Sequence, residues 1–132
     1  MNYLLDTHAL IWSILEKDKL SKAAKHVLEN PSHSVFVSAI SFWEISLKFS
    51  LGKLELRGIL PQAFPNLSLQ MEFEIMPLDA DCASSYHQLL TKHHRDPFDR
   101  MLIWQAIKND LVLITKDGNM ASYKTDGLKI LW

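Results

Sequence analysis

One cysteine, Cys82, is all the chain has, so an internal disulfide framework and a multi-cysteine zinc site are both excluded. No apolar run approaches the roughly 20 residues that would cross a bilayer. The start, Met1-Asn2-Tyr3-Leu4-Leu5-Asp6, lacks the basic region and long apolar stretch of a signal peptide. Repeats, low-complexity segments and evident linkers are also missing. Nor is there an excess of positive charge: 14 basic against 15 acidic residues leave a net charge of −1. A protein that grips nucleic acid mainly by neutralising phosphates should be more basic. That argues against a bulk nucleic-acid binder, but not against an enzyme acting on one through a local basic patch, a metal ion or a partner. A cytoplasmic protein is the expectation.

What is present is an ordinary globular composition, 48% apolar and 22% charged over 132 residues, enough for one domain with a sizeable core. Tyr3-Leu4-Leu5 reads as a buried strand, and His8 to Glu16 carries apolar residues at helical spacing. Ser21 can cap a second helix that runs through Leu28 and stops at Asn30-Pro31. Val35-Phe36-Val37 predicts a second strand, and Ser41 begins a helix that ends near Gly52. Pro61 and Pro65 break the segment from Ile59 to Met71 into one or two short helices. Phe73 to Met76 predicts a third strand, and Asp79 to Lys92 and Pro97 to Asn109 predict helices. Leu111 to Ile114 is wholly apolar, as a parallel strand covered on both faces should be, and Lys129 to Leu131 adds a last short strand. Strands alternating with helices imply a three-layer α/β/α sandwich around a largely parallel sheet, where sites form beyond the carboxyl ends of the strands.

Four acids stand where apolar runs meet breaks: Asp6, Glu44, Asp99 and Asp117. Each has a plain local explanation. Asp6 can cap the first helix. Glu44 stands three residues after Ser41, as in a capping box, and can pair with Lys48 one turn on. Asp96 and Pro97 suit a helix start that makes Asp99 a first-turn acid favoured by the helix dipole. Asp117-Gly118-Asn119 is a favoured turn composition. The functional reading rests on all four fitting one pattern. Carboxylates gathered at one sheet edge suit Mg²⁺ or Mn²⁺, which prefer oxygen ligands and keep several waters. Such an ion could activate water for in-line attack on a phosphodiester.

In this order the residues resemble the PIN-domain nucleases, and among them the VapC-type toxins of toxin–antitoxin pairs. The resembling pieces are Tyr3-Leu4-Leu5-Asp6-Thr7-His8, Ser41-Phe42-Trp43-Glu44-Ile45, His94 to Ile103 with its Asp96-Pro97-Phe98-Asp99-Arg100 block, and Leu113-Ile114-Thr115-Lys116-Asp117. The resemblance spans nearly the whole chain and implies a single PIN-like domain over residues 1–132. It also implies a Mg²⁺-dependent endoribonuclease (Mn²⁺ as the other ion) with Asp6, Glu44, Asp99 and Asp117 around the metal. Asp99 takes the family's third acidic position and Asp96 the helix cap. Thr7 and Thr115 become hydroxyls that orient a carboxylate or water. Lys92, His94, Arg95 and Arg100 become candidate contacts to RNA phosphate, Arg100 alternatively pairing with an acid such as Asp96. The implied partners are an RNA substrate, a cognate antitoxin and a second copy of the chain, with an apolar patch of Trp12, Ile11, Ile14 and Leu15 among the antitoxin contacts.

Competing α/β readings lack their own marks. A haloacid-dehalogenase-like phosphatase needs a second Asp two residues after Asp6, where His8 stands. A receiver-type phosphoacceptor wants paired acids after the first strand, but Leu5 and Thr7 flank Asp6. A PIN-fold RNA-binding or scaffold protein without catalysis is the remaining alternative.

Overall fold

The computed structural model describes all residues except Lys92, His94 and Arg95. Five parallel strands form one sheet in the order β3-β2-β1-β4-β5: β1 (Asn2–Leu5), β2 (Ser34–Ser38), β3 (Glu74–Met76), β4 (Val112–Ile114) and β5 (Lys129–Leu131). Parallel neighbours need crossovers, and helices supply them. These are α1 (Thr7–Leu15), α2 (Lys22–Glu29), α3 (Ala39–Ser50), α4 (Phe64–Gln70), α5 (Ala80–Ser85) and α6 (Pro97–Lys108).

The side-chain alternation of the strands divides the core. Tyr3, Leu5, Val35, Val37, Val112 and Ile114 pack on one face with Ala9, Leu10 and Ile11 of α1, Ala24 and Val27 of α2, and Phe64 of α4. Leu4 and Leu113 point to the other face, against Leu102, Ile103 and Ala106 of α6 and Cys82 of α5. Strands β1 and β4 are therefore apolar on both sides, and truncating a residue such as Leu113 to Ala should cost about 3 kcal/mol. The outer strands β3 and β5 carry Glu74 and Lys129 in exposed positions, charges that discourage edge-to-edge pairing.

Three local expectations need correction. Helix α3 is capped by Ser38, whose hydroxyl accepts the Ile40 N–H at 3.1 Å. Ser41 and Glu44 therefore lie inside the helix, and Glu44 is not the acid of a capping box. The helix expected from Asp79 to Lys92 ends at Ser85 and is followed by one 3-10 turn, Tyr86–Gln88. Beyond it the carbonyls of Leu89 and Thr91 face the Arg100 guanidinium, which draws the chain out of helical geometry. The expected end of that helix, Lys92, lies outside the described residues. Finally, α1 carries no exposed apolar patch: Ile11 is buried, and Trp12, Ile14 and Leu15 pack half-buried against the core.

The connections diverge at β1, which pairs with β2 on one side and β4 on the other. Such a switch point opens a crevice at the carboxyl ends of the strands. Asp6 follows β1 there, and Thr115 to Asp117 follow β4.

Candidate active site

Asp6 continues the sheet by one residue, its N–H donating to the Ile114 carbonyl at 3.1 Å. Its extended backbone turns the chain into α1, and its Oδ1 accepts the Ala9 N–H at 2.8 Å. The cap expected from the sequence therefore forms, and it aims the carboxylate across the crevice. Asp6 is only 7% exposed. Burial pushes its carboxyl above the usual value, and the hydrogen bonds from the Thr115 hydroxyl and the Ala9 N–H offset this only in part. The Thr115 hydroxyl also accepts the Asp117 N–H at 3.1 Å, so one buried side chain ties the end of β1 to the segment after β4.

Glu44 is brought in from α3 and is buried at 2% exposure. Its two oxygens have different partners. Thr7, the first residue of α1, donates to Oε1 at 2.6 Å, and the Lys48 ammonium contacts Oε2. The Thr7 hydroxyl lies 3.0 Å from that of Ser41, so three side chains fix α1 against α3. Burial works against the charge on Lys48, but the Glu44 carboxylate, with Asp96 and Asp99 beyond it, outweighs this and raises its pKa.

Asp96 caps α6, its Oδ1 accepting from the N–H groups of Phe98 at 2.8 Å and Asp99 at 3.3 Å. Asp99 sits in the first turn of that helix, where the backbone dipole favours the anion. Asp117 opens the 3-10 turns Gly118–Asp126, its Oδ1 accepting the Asn119 N–H at 2.9 Å. All four predicted acids, together with Asp96, line one cleft of about 420 Å³. Among the described residues no three acidic, His or Cys side chains are drawn together as a ready-made metal cage. The donors in the cleft are nonetheless oxygens, which fits Mg²⁺ or Mn²⁺, since Mg²⁺ is usually held by one or two carboxylates, water and substrate phosphate.

The same cleft holds residues to which the sequence pattern assigned no place in the site: His8, Trp12, Lys48, Lys116 and Met120. Lys48 had a visible signal, its one-turn spacing from Glu44. Trp12 sits at the rim, with Lys116 over its ring at 5.7 Å and His8 and Trp132 against it at 5.7 and 5.9 Å. No local pattern distinguishes it from a core aromatic.

Of the expected phosphate contacts, Lys92, His94 and Arg95 lie outside the described residues. Arg100 requires correction. It is 8% exposed and donates to the Tyr86 hydroxyl at 2.6 Å, the Thr91 carbonyl at 2.5 Å, and the Tyr123 hydroxyl and Leu89 carbonyl at 3.0 Å. A guanidinium committed in this way is unavailable to RNA phosphate, and Asp96 is not among these partners. Its work is to hold the Leu89 and Thr91 carbonyls and the Tyr86 and Tyr123 hydroxyls around the first turn of α6.

The PIN domain model matches residues 3–125. The chain belongs to the PIN domain family. The curated protein Ribonuclease VapC22 of Mycobacterium tuberculosis is 27% identical to this PIN protein over 98% of the chain and 97% of its own length. Among solved structures, VapBC2 from Rickettsia felis bound to a DNA fragment from their promoter superposes with a TM-score of 0.71 at 20% identity, covering 99% of this chain and 98% of that one. VapBC-1 from nontypeable Haemophilus influenzae gives 0.67 at 21% identity, covering 99% and 97%. At these identities the structural likeness speaks for the PIN fold. Among the described residues of this PIN protein, no helix is long and apolar enough to cross a membrane.

Proposed function

We propose that the chain is a single PIN-like domain acting as a Mg²⁺- or Mn²⁺-dependent endoribonuclease, the toxin of a toxin–antitoxin pair. One observation carries the reading: acids from four separate segments of a PIN-family chain line one cleft at the switch point of the sheet. Asp6, Glu44, Asp99 and Asp117 would hold the cation. A cation held there would acidify a water and neutralise charge on the leaving oxygen. Thr7 fixes the Glu44 carboxylate, Thr115 fixes Asp6, and Asp96 holds the helix start that carries Asp99. These second contacts set the carboxylate orientations before substrate arrives. Lys116, exposed at the mouth, suits phosphate.

The toxin reading draws further support from the relatives, one named a ribonuclease and others solved as VapBC complexes. It brings two protein partners, a cognate antitoxin and a second copy of the chain. The copy suits the apolar groove between α3 and α6, where Trp43 is 61% exposed and stacks edge-on to Phe98 at 5.2 Å.

The test is cleavage of a panel of tRNA, rRNA and mRNA fragments by the purified protein, with EDTA, Mg²⁺ or Mn²⁺. Cleavage should require the cation and fall at least about 100-fold in Asp6→Asn and Asp99→Asn, the scale of losing electrostatic stabilisation in a preorganised site. RNA binding without cleavage by the wild type would favour a non-catalytic binding or scaffold role.

A further inference from the structure

Lys48 is placed where a metal site would least be expected to tolerate an ammonium. It shares the acidic cleft with Glu44, Asp96 and Asp99, and its ammonium lies on Glu44 Oε2. The placement follows from helix geometry: residues four apart share a face, and side chains lean toward the helix N-terminus, here the end that borders the crevice. The partners differ in freedom. The Lys48 side chain is 32% exposed and Glu44 is 2% exposed, so the lysine is the partner with open solvent to move into. Glu44 Oε1 is already held by Thr7, which leaves Oε2 as the oxygen toward a cation.

We propose that Lys48 is a built-in counter-ion of Glu44, displaced from Oε2 when the divalent cation binds. This rests on the metal-dependent reading above. Without a cation, a buried carboxylate needs a compensating charge, and the ammonium supplies it. A divalent cation and an ammonium on the same oxygen would repel strongly at that distance. Binding of one therefore releases the other. The released ammonium stays tethered one turn along α3, at the mouth of the cleft, where an RNA phosphate can take it up. Lys48 is a positioning residue for Glu44 before the cation binds and a phosphate contact afterwards.

Mn²⁺ binding, followed by loss of the free-ion EPR signal, tests this in the full-length protein and in Lys48→Met and Lys48→Arg. Lys48→Met should bind Mn²⁺ about five- to tenfold more tightly than the wild type, since no cation has to be displaced, and Lys48→Arg should stay close to wild type. With Ca²⁺ in place of Mg²⁺ to slow cleavage, Lys48→Met should bind an RNA oligonucleotide more weakly than the wild type does. Equal or weaker Mn²⁺ binding by a folded Lys48→Met overturns the proposal. Should that variant fail to fold, ¹⁵N-lysine NMR of the wild type decides. The Lys48 Nζ resonance should move on Mg²⁺ addition, and a resonance that stays fixed while other cleft signals shift overturns the proposal. A wild type that binds no Mn²⁺ at all would remove the metal-dependent reading itself and this inference with it. Binding by the wild type without tightening in Lys48→Met would remove only the inference.

Discussion

The Thr7 hydroxyl donates to Glu44 Oε1 at 2.6 Å, joining the start of α1 to the middle of α3 inside the protein. Both groups are buried, Thr7 at 4% and Glu44 at 2% exposure. Glu44 is thereby oriented by a residue from another element, and Ser38, not Ser41, caps its helix. A single short contact thus links the stability of the protein to the geometry of its acidic cleft.

Replacing Thr7 by Val keeps the shape of the side chain and removes the donor. A buried carboxylate that loses a charge-assisted hydrogen bond is costly, so Thr7→Val should lose about 2 kcal/mol in urea unfolding. Thr7→Ser retains the hydroxyl and should lose much less. The same order should appear in cleavage rates, since a loosened Glu44 is a misplaced one. Equal stabilities of Val and Ser variants would mean the hydrogen bond contributes nothing.

Asp6 is expected to cost stability in the absence of metal. Its carboxyl pKa is raised because burial disfavours the charged form. A group whose folded pKa lies above its unfolded value contributes stability at low pH that is lost as pH rises through the folded value. Toward neutral pH Asp6 is therefore a burden that Asn, an equally good helix cap, does not impose. Asp6→Asn should be more stable than the wild type in EDTA at neutral pH, with the gap closing as pH falls to the ordinary carboxyl value of 3.8. Mg²⁺ should reverse the order, raising the melting temperature of the wild type alone. Thermal melts across pH, with and without Mg²⁺, measure both effects.

How legible the molecule is from its sequence depends on how local each cause is. The strands announce themselves because Leu4, Leu5 and Leu111 to Ile114 are apolar without a break, and the acids after β1 and β4 then fall at strand ends. The caps Asp6, Ser21 and Asp96 are local signals and all form. Ser41 reads locally as the cap of α3, but Ser38, three residues earlier, takes that role. Burial of Ser38 against Gln105, 2.5 Å away on α6, belongs to tertiary structure and is invisible locally. The burial of Arg100 is hidden for the same reason: its partners Tyr86 and Tyr123 lie 14 and 23 residues off. The cleft residues Trp12, Lys116 and Met120 meet the acids only through the sheet order.

The burial of Arg100 makes a prediction opposite to that for a phosphate contact. Four hydrogen bonds and two aromatic faces surround it, the ring centroids of Tyr86 and Tyr123 lying 5.3 and 6.0 Å from the guanidinium. Lysine cannot reproduce a planar fork that serves four acceptors. Arg100→Lys should therefore lose about 2–4 kcal/mol in urea unfolding, as removal of a buried charged network does. Where the uncharged Arg100→Gln remains folded, the salt dependence of RNA binding should keep the wild-type slope. A slope reduced by about one would instead mark Arg100 as a phosphate ligand.

Trp43 gives the test of self-association. It is 61% exposed on α3, beside exposed Leu47 and the apolar groove of Ile40, Leu78, Pro97, Phe98 and Met101. A large aromatic left in water beside a groove is a surface suited to a partner, and aromatic anchors dominate such interfaces. Within the monomer its loss should matter little, because surface substitutions usually stay within about 0.5 kcal/mol. Trp43→Glu should thus leave the unfolding free energy of the monomer almost unchanged while converting a dimer to monomer in light scattering. The introduced charge would face its own symmetry mate across a two-fold axis, adding repulsion to the lost contact. A dimeric Trp43→Glu variant would move the self-association surface elsewhere. A variant that melts far below the wild type would show that the Trp43–Phe98 pair serves the fold of the monomer instead.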